Sequence, residues 1–124
     1  MKKLCLVVFA LMASFVFAEP EVARHQFTTA VEDREPVDAL TDAMNINPMY
    51  YFTELKGFEG TVVTHRWMYN GEQMANVTFN VGGPRWRVYS SKQLLPEWDG
   101  DWTVEVVDEQ GQVVASDTVS IMIE

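Results

Sequence analysis

The chain has 124 residues, with nine Lys and Arg against eighteen Asp and Glu and a formal net charge of −9. That balance argues against nucleic acid and against an anionic membrane surface, because such partners are gripped by clustered cations that replace condensed counterions. One cysteine, Cys5, leaves no internal disulfide and no thiolate cluster to staple the fold.

The first eighteen residues read as a targeting segment. Lys2 and Lys3 precede an apolar run over residues 4–17, and Val16-Phe17-Ala18 supplies the modest residues that a signal peptidase reads. The run falls short of the roughly 20 residues a membrane helix needs, and Glu19-Pro20-Glu21 stops it. Cleavage after Ala18 is expected, with a periplasmic or secreted destination and no stable membrane span. Cys5 leaves with this segment, and so do two lysines. Seven cations then face eighteen carboxylates, a balance of −11.

Residues 19–24 read as a flexible lead-in, and residues 25–124 as a single domain, large enough to bury its own core. Residues 24–31 are rich in Phe, Thr and Val and are expected as a strand. "EDREPVDALTDAMN", within residues 32–47, is the one long polar interruption and reads as a loop or short helical turn. "MYYFTELK" (residues 49–56) is a β-prone run closed by Gly57-Phe58-Glu59-Gly60. Residues 61–69 form the next strand, ended by Asn70-Gly71, a dipeptide whose tolerance of positive φ marks a type I′ hairpin turn. Residues 73–81 return from it, with Ala75, Val77, Phe79 and Val81 alternating against polar positions. Gly82-Gly83-Pro84 breaks the ladder before a strand over residues 85–91. "KQLLPEWDG" is a long connection. Residues 102–108 alternate cleanly, and residues 112–123 finish the chain.

About seven short strands with turn signals between them point to an all-β fold, a single immunoglobulin-like antiparallel β-sandwich after the signal peptide. A small barrel is the alternative.

Three pieces, "FTTAVEDREPVD", "YYFTELKGFEGTVVTHRWMYNGE" and "VGGPRWRVYSSKQLLPEWDGDWTVEVVDEQG", together resemble the bacterial family catalogued as domain of unknown function 2914. The resemblance runs from about Phe27 to the C-terminus. It implies a small β-rich domain in exported or membrane-attached bacterial proteins, and it implies no catalytic or binding residues.

"RWRVYSS" carries the most chemistry. Residues two apart on a strand share a face, so Trp86, Val88 and Ser90 point one way and Arg85, Arg87, Tyr89 and Ser91 the other. The first set is expected in the core. The second presents two guanidinium forks and a phenol to solvent, suited to a carboxylate, a phosphate or a sugar. The plainer reading is cross-strand pairing with some of the many carboxylates. Gly82-Gly83-Pro84 lacks the following Lys-Ser/Thr and helix of a phosphate loop and reads as a bulge or turn. Trp67 is expected as a central core tryptophan, with His65 sharing its parity at the sheet's rim or under a loop.

Candidate binding residues are therefore Arg85, Arg87 and Tyr89 on one strand face and Trp98 at a loop tip. No catalytic residue, cofactor or metal site is assigned. The function expected is a non-enzymatic binding or assembly module of the bacterial envelope, whose partner is an envelope protein or a glycan. Two alternatives stand beside it. One is a small hydrolase or metal-dependent enzyme using His65 with acids near Asp99 and Asp101, and the other is a structural accessory subunit.

Overall fold

The computed structural model describes residues 19–124. The apolar leader, its cleavage after Ala18 and Cys5 lie outside the described residues.

Seven strands of eight to ten residues carry the fold: β1 (Glu21–Thr28), β5 (Met49–Lys56), β6 (Val62–Tyr69), β7 (Glu72–Asn80), β8 (Arg85–Lys92), β9 (Gly100–Val107) and β10 (Val113–Met122). Three short ones, β2 (Val31–Glu32), β3 (Glu35–Pro36) and β4 (Asp42–Met44), come from the polar interruption. One sheet has the order β1-β5-β8, and the facing sheet the order β4-β10-β9-β6-β7. All pairings are antiparallel except β4 with β10. The protein is an all-β sandwich of immunoglobulin-like plan. Among the described residues no helix is long and apolar enough to cross a membrane.

Local chemistry explains most boundaries. Asn70 and Gly71 both take positive φ, 47° and 87°, and join β6 to β7 with Tyr69 opposite Glu72. Two expectations differ from the structure. Residues 21–24, read as part of a flexible lead-in, form the first half of β1, because Glu21 and Val22 pair with Lys56 and Leu55 of β5. The interruption at residues 32–47 contains no helical turn. Asp33 and Arg34 take positive φ, 52° and 63°, and fold β2 onto β3 as a two-residue hairpin.

The core lies between the sheets. Phe27, Met49, Tyr51, Leu55, Val63, Trp67, Trp102, Val104, Val106, Val119 and Ile121 are all buried there. Trp67 is fully buried, as its place on an interior strand requires. Its ring meets Phe27 at 6.0 Å and Trp102 at 6.3 Å, both edge-on.

A polar bridge crosses this core. Trp67 Nε1–H donates to Ser90 Oγ at 2.9 Å, and His65 Nδ1 lies 2.7 Å from the same oxygen. His65 Nε2 lies 3.0 Å from Thr53 Oγ1, which in turn donates to the Val88 carbonyl at 3.3 Å. One proton arrangement satisfies every member. Trp67 donates to Ser90, the Ser90 hydroxyl donates to His65 Nδ1, His65 Nε2–H donates to Thr53, and Thr53 donates to Val88. The opposite tautomer would place two N–H donors on Ser90 and leave its own hydrogen without an acceptor. His65 is therefore the neutral Nε2–H form. It sits in the middle of the core with no exposed surface, not at the rim where parity alone placed it.

Trp86 corrects the expected burial of its strand face, though not its direction. Val88 and Ser90 do point between the sheets, but Trp86 remains 37% exposed. It lies opposite Leu55 near the end of β5, with its six-membered ring against Gly82 and Gly83. A Cβ on Gly82 would stand 2.9 Å from Trp86 Cη2, so this glycine supplies room for an indole.

Trp67→Ala is expected to cost about 3 to 5 kcal/mol in urea denaturation, and Trp86→Ala at most about half of that. Equal losses would contradict the placement of the two rings. Burial also lowers the His65 pKa from its ordinary value to about 3. As pH falls below about 6.5 the unfolded chain takes up a proton that the folded chain refuses, so this contribution is complete above that pH and declines below it. The decline is about 1.4 kcal/mol per pH unit, or roughly 2 kcal/mol between pH 7 and pH 5. Urea titrations of wild type and His65→Gln at the two pH values should show that slope vanish in the variant. A slope that survives the substitution would belong to other groups, and a wild type without the slope would mean that the fold accepts a charged His65.

Candidate functional site

The outer face of the three-stranded sheet is where charge gathers. On β1, β5 and β8 the outward positions bring Arg24, Glu54 and Arg87 into one row, since Arg24 pairs with Glu54 and Glu54 with Arg87 across the ladder. The β2–β3 hairpin folds over this face, and its Glu35 reaches both flanking strands. Arg24 donates to both Glu35 oxygens at 2.8 Å, and Arg87 donates to Glu35 Oε2. Beneath them Glu54 accepts from Arg24 and from Arg85, each at 2.6 Å. The result is an unbroken alternating chain: Arg85, Glu54, Arg24, Glu35, Arg87.

The protonation of these groups follows from the pairing. Hydrogen bonds from Arg24 and then Arg87 hold the Glu35 carboxyl at about 2. Arg85 foremost, with Arg24 added, outweighs burial and keeps Glu54 below the usual carboxylate range. Burial would raise Asp38, but the Thr29 N–H and the Thr28 and Thr29 hydroxyls more than offset it. Asp38 thereby ties the far end of the hairpin to β1. These carboxylates are ionised at neutral pH, and whatever they add to stability is lost only as pH falls below about 4.5.

Beside this chain lies an open groove of about 460 Å³, lined by Arg34, Arg85, Trp86, Arg87 and Val88. Three of the five arginines in the sequence meet there. Arg34 comes from the hairpin tip and has no ion pair among the described residues. The groove's own lining carries three arginines and no carboxylate, while Glu32, Asp33 and Glu35 of the hairpin and Glu54 of β5 stand around it. The half-exposed indole of Trp86 supplies the groove with an apolar ring face.

Of the residues singled out in the sequence, Arg85 and Arg87 line this groove, while Tyr89 and Trp98 do not. Tyr89 is exposed further along β8, its ring 6.1 Å from Tyr50. Trp98 is half-buried in the β8–β9 connection at the other end of the strand, 5.8 Å from Trp102 and under the Lys92 ammonium at 5.0 Å. Its carbonyl accepts the Trp102 indole N–H. Arg34 and Trp86 were missed. Arg34 was lost inside an acidic stretch whose Asp-Arg turn carries no glycine, and Trp86 was assigned to the core by parity.

The histidines sit elsewhere. His65 meets two hydroxyls and no carboxylate, and Asp101 lies five residues along β9 from its partner Val106, about 17 Å at strand rise. His25 Nδ1 and the Tyr51 hydroxyl share Asp117 Oδ2, each at 2.6 Å, and close the seam between β1 and β10. The Asp99 carbonyl accepts from Tyr69, and Asp101 Oδ1 accepts from Ser120. Among the described residues no three His, Cys, Asp or Glu converge as metal ligands.

Comparison with known proteins places this geometry. No curated protein matches the chain. Among solved structures it is similar to the Pseudomonas fluorescens alkylpurine DNA glycosylase AlkC bound to DNA containing an abasic site analog. The identity is 14%, the TM-score 0.51, and the match covers 91% of this chain and 33% of that one. The chain thus spans about a third of the glycosylase. It is also similar to the CARDB domain of a Pyrococcus furiosus protein solved in complex with di-metal ions, at 15% identity and a TM-score of 0.52, covering 89% of this chain and 100% of that domain. At such identities the likeness shows the fold alone. The family described as "Protein of unknown function (DUF2914)" matches residues 60–121, half of the sequence and all of β6 to β9 with most of β10. The chain belongs to the domain of unknown function 2914 family.

Proposed function

We propose that this chain is a non-catalytic binding module of the bacterial cell envelope that takes a carboxylate-bearing glycan in the groove of Arg34, Arg85, Trp86 and Arg87. The observation that carries the reading is the groove itself, lined by three arginines, no carboxylate and the exposed Trp86 on a protein of net charge −9. Guanidinium forks match planar carboxylates in pairs. The exposed part of the Trp86 indole, which rests beside Gly82 and Gly83, would meet the C–H side of a sugar ring. The apolar leader supports export, and the acidity of the rest of the surface speaks against nucleic acid.

What supports a non-catalytic role is the state of the one buried histidine. Both His65 ring nitrogens are engaged, and its surface is closed to any substrate. A general base must reach the proton it removes.

Titration of the isotope-labelled domain with oligogalacturonate, with a neutral glucan oligomer and with duplex DNA tests the reading. The acidic sugar should shift the amides of residues 85–87 and the Arg34 and Trp86 side chains, and added salt should weaken it. Arg34→Ala and Trp86→Ala should each weaken binding about tenfold, roughly 1.4 kcal/mol. Arg34→Ala should leave the melting temperature within about half a kcal/mol of stability. Equal response to the neutral oligomer, tighter response to DNA, or no shift in residues 85–87 would refute it.

A further inference from the structure

Among the described residues two aromatic side chains are exposed, Trp86 in the groove and Tyr89 outside it. Strand geometry connects them. Arg85, Arg87, Tyr89 and Ser91 follow one another on the outer face of β8. Residues two apart on a strand stand about 7 Å from each other, so Tyr89 is one such step beyond Arg87 and about 13 Å from Arg85. Tyr89 is the more exposed of the two rings, at 47% against 37% for Trp86.

A further ring joins it from β5. Tyr89 stands opposite Phe52 and Tyr50 opposite Ser91, so the two tyrosines are diagonal neighbours across the ladder. Their ring centroids are 6.1 Å apart, with planes inclined at 54°. Tyr50, Tyr89 and Ser91, the outward positions of β5 and β8 beyond Phe52 and Arg87, carry no charge. The outer face of β8 thus changes along its length, from guanidinium forks at one end to phenol rings and an exposed hydroxyl at the other.

We propose that Tyr89, with Tyr50 beside it, is a second sugar subsite, so that the ligand is an acidic oligosaccharide laid along β8 and not a single acidic sugar. The proposal rests on the glycan reading of the groove. Continuity and charge select the occupant. The arginines hold carboxylates at one end, and the same strand face then presents apolar ring surface to the C–H groups of the next sugars. One pyranose is shorter than the span from Arg85 to Tyr89, so only an oligomer reaches both. Joining the two ends in one ligand makes the second contact intramolecular, and its gain appears only once the chain is long enough to span them. An acidic peptide would meet the arginines equally well and gain nothing from Tyr89.

Calorimetric titration of the protein with the dimer and the hexamer of galacturonic acid, and with polyglutamate, tests this. The hexamer should bind wild type about tenfold or more tighter than the dimer. Tyr89→Ala should remove that gain and leave dimer and polyglutamate binding unchanged, whereas Tyr89→Phe should keep it. Arg34→Ala should weaken dimer and hexamer alike. In wild type, the ring resonances of Tyr89 should move with the hexamer and stay still with the dimer, a readout that needs no variant. A hexamer bound equally by wild type and Tyr89→Ala, yet weakened by Arg34→Ala, overturns the subsite and leaves the groove standing. Failure of both oligomers to bind overturns the two together. A Tyr89→Ala loss shared by dimer, hexamer and polyglutamate also overturns the subsite, because it marks the ring as a support of the sheet.

Discussion

The fold turns on a directed run of hydrogen bonds through its centre. Ser90 and Thr53 belong to one sheet, and Trp67 and His65 to the other, so the two layers are joined by side chains whose donors and acceptors must alternate in one sense. Apolar contacts would tolerate small slips of one sheet over the other. This run does not, because a buried polar group left without its partner costs about 1 to 3 kcal/mol. Two residues of slip along β8 would take Ser90 away from both rings. Hydrophobic burial supplies the bulk of the driving force, and the polar run selects one register among the packings that burial alone would accept.

A second, charged run lies on the outer face of the same three strands, and it does a different job. Arg24 sits 5.1 Å over the Phe52 ring, which is fully buried although its strand position points outward. Arg24 lies over Phe52 while both its terminal nitrogens are held by Glu35, and Glu35 is held in turn by Arg24 and Arg87. Isolated surface ion pairs are worth little. Here several share their partners, and one of the arginines they hold lies over an aromatic ring. The same pairing fixes the directions of Arg85 and Arg87, so the groove's guanidinium groups are ordered before anything arrives.

The strands were legible because period-two alternation and turn chemistry agree along most of the chain. "WTVEVVD" alternates between turn signals, "MYYFTELK" is a β-prone run closed by Gly57-Phe58-Glu59-Gly60, and Asn70-Gly71 tolerates the positive φ of a hairpin turn. The second face of the outer sheet was not legible. Phe52 and Glu54 take solvent positions by parity, yet both are buried on the outer face beneath arginines from β1 and β8, a long-range closure that no local pattern encodes. Trp86 fails for the complementary reason. Parity places it on the inner face correctly, but parity says nothing of how completely a side chain is covered. His65 was read at the rim because a lone histidine has no visible partner in sequence, while its hydroxyl partners lie 12 and 25 residues away.

The misreadings of the outer face and of Trp86 meet at the groove, and their meeting has a physical cause. A binding surface on a small sandwich has to lie where the layers stop covering one another, since the interior has no spare volume. Trp86 is exposed there near the start of β8, beside Gly82 and Gly83, and Arg34 arrives there from the turn of the β2–β3 hairpin. Any carboxylate entering must compete with Glu35 for Arg87 and with Glu54 for Arg85, while Arg34 meets no resident acid among the described residues. A ligand of one carboxylate therefore gains chiefly from Arg34 and the indole. A repeating acid gains more, because successive carboxylates can displace Glu35 in turn, and displacing Glu35 loosens the hairpin that holds it.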